Sequence, residues 1–434
     1  MDKLVIRGGN PLRGRLHVGG SKNTALPLMA AALLGDGVTT LHNTPVLQDV
    51  FTFANVLRVT GARVRFEPDS DANSPDSMII DARNIDHLEA PYDLVKKMRA
   101  SFYMLGALLG RRGEARVSLP GGCAWGPRPV DLHLKGMEAL GAKITMDQGY
   151  VVAKAPEGGL NGAHIRFEPS SVGATINVML AAATANGTTL LDNAAAEPDV
   201  VVFGNMLQAM GANVDGLGTQ TIIIGGVDKL NAVEFTNCPD RIELGTYMIA
   251  AAIATPPGET LVITGAKPSH LGDAFLDAFR QTGVPFDIDG STVTVTGVES
   301  IQPVSITTSP YPGFPTDLQA QWSVMMTQAT GASSITETVY TDRFKHIPEL
   351  NRMGAGCRIE DNAVLVQGQN GARLQGTNVM STDLRASVSL VLAGLIAEGE
   401  THVLRVYHLD RGYENLEGKL AGAGIAIHRE EYQE

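Results

Sequence analysis

One pattern of apolar and polar positions recurs along the whole chain. An amphipathic stretch with helical spacing is followed by a glycine and a small residue, and then by a run in which apolar and polar residues alternate. The spacing predicts a helix, the alternation predicts a half-buried strand, and a glycine between them is typical of a helix end. The examples are LRVTGARVRFE (57–67), MEALGAKITMD (137–147), LQAMGANVDG (207–216), FRQTGVPFDID (279–289), LNRMGAGCRIE (350–360) and LAGAGIAIHRE (420–430).

A second pattern interleaves with the first. It is an Ala- and Leu-rich segment that predicts a buried helix, then a glycine turn, then a strand rich in Thr and Val. Glycines at equivalent turns are roughly 70 residues apart, which predicts six repeats of two helices and several strands each. The first-pattern glycines are Gly61, Gly141, Gly211, Gly283, Gly354 and Gly424. The second-pattern glycines are Gly37, Gly113, Gly187, Gly258, Gly331 and Gly399.

Six such repeats are too many for one core, and two groups of three give two domains of ordinary size. We expect the first domain at residues 22–239 and the second at residues 1–21 plus 240–434. The two strands predicted before the first helix are placed with the last repeat. One spacing in the first set is longer, and we assign the excess to a polar, turn-rich insertion at Asp69–Ser77.

Composition narrows the class of protein. The net charge is −12 and only 18% of residues are charged, which argues against sequence-independent nucleic-acid binding. The longest apolar runs, Ala25–Leu34 and Val388–Ala397, span about ten residues and predict buried helices, since a membrane span needs about 20. Cys123, Cys238 and Cys357 are too widely spaced for a zinc site or a disulfide framework. No apolar leader is visible, so we expect a cytoplasmic protein without membrane segments.

Cations mark the starts of several predicted buried helices. Lys22, Arg99 and Arg385 stand where a helix presents unpaired N–H groups and a partial positive charge. A cation there is costly unless an anion joins it, so the three together predict an anion site. The Ser, Thr and Asp residues beside them are equally explained as ordinary helix caps.

Three further arginines precede the other helices. Arg128, Arg343 and Arg411 lie in loops, each close in sequence to a carboxylate. Taken singly, each is explained by a surface salt bridge with Asp131, Asp342 or Asp410.

The segment LPGGCAWGPRP at 119–129 has the composition of a lid or active-site loop. Its glycines permit unusual backbone angles, its prolines stiffen the ends, and Arg128 would lower the pKa of the Cys123 thiol. Cys238 and Cys357 are interpreted as structural. His133 follows ten residues later, which leaves a Cys–His hydrolase open but unsupported. The sequence contains no Walker, GxGxxG or HExxH motif, so we expect no metal, flavin or nicotinamide.

These motifs resemble the UDP-N-acetylglucosamine 1-carboxyvinyltransferases, a family of enolpyruvyl transferases. The resemblance covers residues 1 to about 428 and rests on SKNTALPLMAAALL, YDLVKKMRAS, LPGGCAWGPRPVDLH, SSVGATIN, FPTDLQAQ, TETVYTDRFKHIPEL, STDLRAS and HLDRGYE. It implies an α/β fold with two inside-out α/β barrels of three repeats, helices inside and sheets outside. It also implies transfer of the enolpyruvyl group of phosphoenolpyruvate to the 3′-hydroxyl of UDP-N-acetylglucosamine, the first committed step of peptidoglycan synthesis. Both partners are small molecules and no cofactor is implied.

The resemblance assigns catalytic roles to residues at matching positions. Cys123 matches the acid that protonates C3 of phosphoenolpyruvate, and it can also form a covalent adduct with it. Asp317 matches the base that takes the proton of the sugar 3′-hydroxyl. Asn23 matches a hydrogen-bond donor to the intermediate, and Asp383 matches a second acid beside it.

The resemblance also assigns binding roles, chiefly to cations. Lys22, Arg128 and Arg411 match contacts to the phosphate of phosphoenolpyruvate, and Lys22 and Arg411 are counted with the catalytic residues. Arg343 and Arg385 match residues that face its carboxylate or the gap between the domains. The nucleotide-sugar site matches Arg99, Arg128, Pro129, Val130, Asp131, Leu132, Ser171, Val172, Gly173 and Val339.

Two positions depart from the family pattern. Pro169 replaces a basic residue, which puts one nucleotide contact in doubt, and Trp125 replaces a smaller residue in the cysteine loop. Two other functions remain to be distinguished: a transferase acting on another acceptor such as shikimate 3-phosphate, and a catalytically silent paralogue that binds a nucleotide sugar.

Overall fold

The computed structural model describes residues 1–67, 76–96, 98–119 and 130–433 of a chain with a mixed α/β fold. The chain forms two compact units. The first unit is Gly20–Cys238, and the second combines Met1–Gly19 with Pro239–Glu434. Each unit has its own apolar core. Most of the predicted insertion Asp69–Ser77 and of the cysteine loop lies outside the described residues.

The second unit contributes the first two strands of the chain, β1 (Asp2–Arg7) and β2 (Gly14–His17). The first unit follows. Its helices are α1 (Lys22–Ala31), α2 (Gln48–Val59), α3 (Tyr92–Val95), α4 (Met104–Arg112), α5 (Asp131–Ala139), α6 (Val172–Ala182) and α7 (Pro198–Ala209), with 3₁₀ helices at Ala32–Leu34 and Arg99–Tyr103. Its strands are β3 (Gly35–Asp36), β4 (Val38–His42), β5 (Arg63–Glu67), β6 (Ser77–Asp81), β7 (Glu89–Ala90), β8 (Glu114–Ser118), β9 (Lys143–Asp147), β10 (Tyr150–Lys154), β11 (His164–Arg166), β12 (Thr188–Asp192), β13 (Asn213–Asp215), β14 (Thr221–Gly225), β15 (Leu230–Asn231) and β16 (Glu234–Thr236).

The rest of the second unit has the same kinds of element. Its helices are α8 (Arg241–Ala254), α9 (Asp273–Gln281), α10 (Gln319–Thr327), α11 (His346–Arg352), α12 (Leu384–Ile396) and α13 (Leu416–Gly422), with 3₁₀ helices at Pro268–His270, Thr316–Leu318 and Val406–Arg411. Its strands are β17 (Thr260–Thr264), β18 (Phe286–Asp289), β19 (Thr292–Thr296), β20 (Ile306–Thr307), β21 (Ser333–Thr336), β22 (Gly356–Glu360), β23 (Ala363–Gln367), β24 (Leu374–Gln375), β25 (Asn378–Met380), β26 (Ala397–Glu398), β27 (Glu400–Leu404) and β28 (Ala426–Glu431).

The larger sheets share one pairing pattern. Each has four strands, with one parallel edge pair followed by antiparallel neighbours. The orders in the first unit are β16-β4-β6-β5, β7-β8-β10-β9 and β11-β12-β14-β13, and those in the second unit are β2-β17-β19-β18, β20-β21-β23-β22 and β25-β27-β1-β28. The strand β1 pairs with both β27 and β28, so the N-terminus of the chain completes a sheet built by its C-terminal end.

The Ala- and Leu-rich segments form helices that are buried on nearly every side, as expected for helices without a polar face. In α6 and α12 almost every residue is buried, and the predictions for Ala25–Leu34 and Val388–Ala397 are confirmed. Close packing explains Gly106 in α4, because a Cβ there would lie 2.1 Å from the backbone oxygen of Asn177 in α6. Within the described ranges, no helix combines the length and apolarity that crossing a membrane requires.

The predicted glycine turns are largely confirmed. All the first-pattern glycines have a positive φ, from 79° at Gly283 to 105° at Gly211. This left-handed conformation is costly for a residue with a Cβ, which explains glycine at these helix ends. The second-pattern glycines also have a positive φ, with one exception. Gly331 does not have a positive φ, so the prediction of a left-handed glycine at this turn was wrong.

Candidate active site

The first helix of the first unit begins with a buried ion pair. Lys22 is the first residue of α1, and its Nζ lies 3.2 Å from Oδ2 of Asp49 in the first turn of α2. Both side chains are largely buried, with 13% and 5% exposed. Ser21 caps the helix by accepting a hydrogen bond from the Thr24 N–H. Asn23, the second residue of α1, is partly buried beside them. The predicted cation at this helix start is therefore held by a carboxylate.

A second buried carboxylate lies at the same helix start. Asp199, in the first turn of α7, accepts hydrogen bonds from the hydroxyls of Thr24 at 2.8 Å and Ser21 at 3.4 Å. Sequence analysis missed both Asp49 and Asp199. A signal was present, because each is the second residue of a helix that follows the second-pattern strand.

Two of the predicted nucleotide-sugar residues of the first unit, Arg99 and Gly173, lie close to His133. Arg99 begins a 3₁₀ helix, Ser171 caps α6 by accepting from the Ala174 N–H, and Gly173 lies on the first turn of α6. A Cβ at Gly173 would come 3.2 Å from Cε1 of His133, so the ring lies against this helix start. Burial, with the positive charge of Arg99 second, lowers the pKa of His133 to about 3. The imidazole is therefore neutral near pH 7.

The hydrogen bonds of Asn177 determine which nitrogen of His133 carries the proton. The Asn177 side chain accepts from the Gly106 N–H at 2.8 Å and donates to the Phe102 carbonyl at 3.0 Å. Its amide nitrogen therefore faces Nδ1 of His133, 2.9 Å away, which must accept. The proton is on Nε2, which is buried and has no partner among the described residues. Sequence analysis considered His133 only as a base for Cys123, whose position lies outside the described residues.

The second unit places a carboxylate between two arginines. Asp317 lies on the 3₁₀ helix Thr316–Leu318, and its Oδ1 is 2.6 Å from Nη2 of Arg343 while its Oδ2 is 3.1 Å from Nη2 of Arg385. Burial alone would raise the pKa of Asp317, but the two guanidinium groups outweigh it and hold the pKa well below its usual range. Asp317 keeps 24% of its side chain exposed, so a ligand can reach it.

The start of α12 positions Arg385. Asp383 is the N-cap, and its Oδ1 accepts from the backbone N–H groups of Arg385 at 2.9 Å and Ala386 at 3.0 Å. Nη1 of Arg385 also donates to the hydroxyl of Tyr413 at 3.3 Å. The contacts of Asp383 are thus those of a helix cap, and its role as a second acid stays a prediction.

The segment that carries Arg411 is held in place through its neighbour Asp410. Arg411 ends the 3₁₀ helix Val406–Arg411. Arg429 on β28 binds both carboxylate oxygens of Asp410, at 2.6 and 2.9 Å, and also binds Glu417 at 2.7 Å. Asp410 is therefore a structural anchor held by a distant arginine.

The remaining predicted residues fall in two groups. Val130, Asp131 and Leu132 form the start of α5, where Asp131 lies 3.9 Å from Lys135 on an exposed surface. Val339 follows β21 and is 37% exposed. Cys123, Arg128 and Pro129, together with Trp125, lie outside the described residues. Sequence analysis also missed Glu337, a buried carboxylate two residues before Val339.

Comparison with known proteins gives full-length matches. Residues 6–420 match the family described as EPSP synthase (3-phosphoshikimate 1-carboxyvinyltransferase). A protein of Chlorobaculum parvum named UDP-N-acetylglucosamine 1-carboxyvinyltransferase is 54% identical over 435 residues, covering 100% of both chains. A protein of Chlorobium limicola with the same name is 53% identical, with the same coverage.

Two solved structures are similar to this chain in fold. The enolpyruvyl transferase NikO from Streptomyces tendae superimposes with a TM-score of 0.88 at 28% identity, covering 99% of this chain and 98% of its own. An EPSP synthase from Acinetobacter baumannii has a TM-score of 0.75 at 18% identity, covering 99% of this chain and 100% of its own. The latter likeness concerns the fold alone.

Proposed function

Because the chain belongs to the EPSP synthase family of enolpyruvyl transferases, we propose that it transfers the enolpyruvyl group of phosphoenolpyruvate to UDP-N-acetylglucosamine. The acceptor is the sugar 3′-hydroxyl, and the reaction is the first committed step of peptidoglycan synthesis, on which cell shape and division depend. The observation that carries the proposal is the identity of 54% and 53%, over the whole chain, to relatives named for this activity.

The reaction needs one acid, one base and contacts for several negative charges. The 3′-oxygen adds to C2 of phosphoenolpyruvate while C3 takes a proton, and the resulting ketal then loses phosphate and a C3 proton to give the enolpyruvyl ether. We assign Cys123 as the acid at C3, and Asp317 as the base for the hydroxyl proton. Lys22, Arg128 and Arg411 would bind the transferred phosphate, Asn23 would donate to the intermediate, and Asp383 would be a second acid beside it.

Because Asp317 is held by two arginines, its strength as a base depends on whether phosphoenolpyruvate is bound. A carboxylate held by Arg343 and Arg385 has little affinity for a proton, because protonation would leave two buried cations without their partner. Phosphoenolpyruvate has a carboxylate of its own that either arginine can bind bidentately. When an arginine turns to the substrate, the pKa of Asp317 rises and the carboxylate becomes a competent base.

In the first unit, the nucleotide sugar would use the polar groups around His133. A diphosphate suits the start of α6, where the N–H groups near Gly173 and the charge of Arg99 favour anions. The Nε2–H of neutral His133 supplies a further donor at that place. We also assign Val130, Asp131, Leu132, Ser171, Val172 and Val339 to this substrate, with Arg128 and Pro129 from the cysteine loop.

Three finer features belong to the same proposal. The sheets with one shared pairing pattern would be six copies of one ancestral repeat, arranged as two inside-out α/β barrels. The reaction as written uses no metal or cofactor, and Cys123 can also form a covalent adduct with phosphoenolpyruvate. Both substrates are water-soluble metabolites, and we place the reaction in the cytoplasm.

The proposal is tested by phosphate release from phosphoenolpyruvate with and without UDP-N-acetylglucosamine, together with the intact mass of the protein. We expect release that depends on the nucleotide sugar, and a phosphoenolpyruvate-sized adduct that maps to Cys123. Phosphate release that requires shikimate 3-phosphate would show that the acceptor is shikimate 3-phosphate and not the nucleotide sugar. Binding of the nucleotide sugar without any release would indicate a silent paralogue.

A further inference from the structure

Glu337 is a fully buried carboxylate directly after β21 in the second unit. Its side chain is 0% exposed. Among the described residues, no Lys or Arg side chain forms an ion pair with it, and its two oxygens accept hydrogen bonds instead. Four donors supply these hydrogen bonds. Because burying a carboxylate costs free energy, its presence here indicates a specific role.

Oε1 of Glu337 fixes the backbone of the next residues. It accepts from the N–H groups of Val339 at 2.7 Å and Tyr340 at 2.9 Å, and from the hydroxyl of Thr308 at 2.7 Å. The segment held in this way carries Val339, which we assign to the nucleotide sugar. The ring of Tyr340 in turn lies 5.4 Å from the guanidinium carbon of Arg343.

Oε2 of Glu337 reaches the same arginine through a hydroxyl group. Thr316 donates to Oε2 at 2.8 Å and accepts from Nη1 of Arg343 at 2.9 Å. The direction of both bonds is determined, because a carboxylate can only accept and a guanidinium can only donate. The other terminal nitrogen of Arg343 is then left to Asp317, 2.6 Å away.

We infer that Glu337 is a positioning residue for the proposed reaction: through the hydroxyl of Thr316 it holds Arg343 against Asp317. This inference rests on the proposed function for its kinetic consequence, but not for its geometric one. A carboxylate is required because all four donors point at it. An amide has only one accepting oxygen, so a glutamine would leave a donor unsatisfied or turn its own N–H toward Thr316.

Thr316 gives the sharpest test, because Glu337→Gln could simply disturb the fold. Thr316→Val keeps the shape and removes the hydroxyl, while Thr316→Ser keeps the hydroxyl. We expect Thr316→Val to lower kcat/KM for phosphoenolpyruvate by about tenfold or more, because Arg343 is no longer held in place for the substrate carboxylate. The KM for UDP-N-acetylglucosamine should change little, and Thr316→Ser should restore most of the loss. Thr282→Val is the matched control, because Thr282 is buried in the same unit and donates only to the Phe279 carbonyl, at 2.6 Å. This control should lose stability and keep wild-type kinetics.

A double-mutant cycle separates positioning from general destabilisation. In an Arg343→Gln background, Thr316→Val should change kcat/KM for phosphoenolpyruvate by less than about twofold, because the residue through which it acts is gone. Additive losses, or a Thr316→Val enzyme that behaves like Thr282→Val, would overturn the inference.

A crystal structure of the free Thr316→Val protein decides the geometry without any activity. We expect Arg343 to leave Asp317, and an Arg343 still within hydrogen-bond distance of Asp317 would refute the inference. If the wild-type protein releases no phosphate with UDP-N-acetylglucosamine, the proposed function fails, and this structure still tests the role of Glu337.

Discussion

The two units hold the charges at their helix starts in opposite ways. In the first unit a cation, Lys22, is held by a buried carboxylate, Asp49. In the second unit a carboxylate, Asp317, is held by two buried arginines, Arg343 and Arg385. In the proposed reaction, an anion that approaches Lys22 would compete with Asp49, whereas an anion that binds one of the arginines would take one of the two partners of Asp317. We therefore propose that the first arrangement tunes affinity, and that the second couples binding of an anion to the strength of a base.

The largest effect is expected from Asp317→Asn, which removes the base and keeps the shape. We predict a fall in kcat of about a thousandfold, within the range for loss of a general base. Binding of phosphoenolpyruvate should persist, because both arginines remain. The measurements are steady-state kinetics and calorimetric titration, and an Asp317→Asn enzyme with more than about a tenth of wild-type kcat would contradict the role.

A smaller effect, with a diagnostic pH dependence, is expected from Arg385→Gln. Loss of one partner of a buried ion pair should lower kcat/KM for phosphoenolpyruvate by about a hundredfold. A base must be deprotonated, so kcat/KM falls as the pH drops through its pKa. The pKa of wild-type Asp317 is held well below its usual range, chiefly by Arg385 and then Arg343 against the effect of burial. The acid limb of the profile should therefore move to higher pH in the variant, and an unmoved limb would show that Arg385 does not control Asp317.

Variants of the Lys22–Asp49 ion pair in the first unit can separate an effect on substrate affinity from an effect on stability. Lys22→Gln should raise the KM for phosphoenolpyruvate by about tenfold and lower the free energy of unfolding by about 3 kcal/mol, because a largely buried ion pair loses its charged donor. The double variant Lys22→Gln/Asp49→Asn should recover stability, measured by urea unfolding, but not the KM. Recovery of both would mean that Lys22 serves the fold alone.

The smallest effects are predicted for the pH dependence of stability, and they come from two buried histidines, one in each unit. His133 and His346 are both buried, and burial, followed by the charge of Arg99 or Arg343, lowers the pKa of each to about 3. A pKa below the unfolded value of about 6.5 means that the unfolded state takes up the proton first. Stability is therefore lost as the pH falls from about 6.5 toward 3, at about 1.4 kcal/mol per pH unit for each histidine.

Each substitution by asparagine should make that loss shallower by about one proton, as measured by urea unfolding between pH 7 and pH 4.5. His87→Asn is the control, because the side chain of His87 is 72% exposed in the folded protein. An unchanged slope in His133→Asn would contradict the neutral, buried state that we describe for this histidine.

The sequence predicted well those features that depend on neighbours along the chain. The glycines that end helices, such as Gly61 and Gly211, follow from the local pattern and have the expected positive φ. The cations Lys22, Arg99 and Arg385 do stand in the first turns of helices. Gly331 shows the limit of this reasoning, because a turn can use glycine without requiring a left-handed residue.

The sequence could not predict which groups the cations meet. Asp49 is 27 residues from Lys22, and Asp317 is 68 residues from Arg385. Such pairs form only after separate helices pack together, and no local pattern encodes them. Glu337 was missed for a related reason, since a carboxylate after a strand is usually a surface residue. Its burial becomes evident only when the donors from Thr308, Thr316 and the following turn are assembled around it.

The most direct test of the account is a competition between acceptors in one reaction. The protein is mixed with phosphoenolpyruvate and equal amounts of UDP-N-acetylglucosamine and shikimate 3-phosphate, and the products are identified by NMR spectroscopy. We predict the enolpyruvyl ether at the 3′-oxygen of UDP-N-acetylglucosamine, one phosphate released for each ether formed, and unchanged shikimate 3-phosphate. Conversion of shikimate 3-phosphate, or no enolpyruvyl ether at all, would contradict the account.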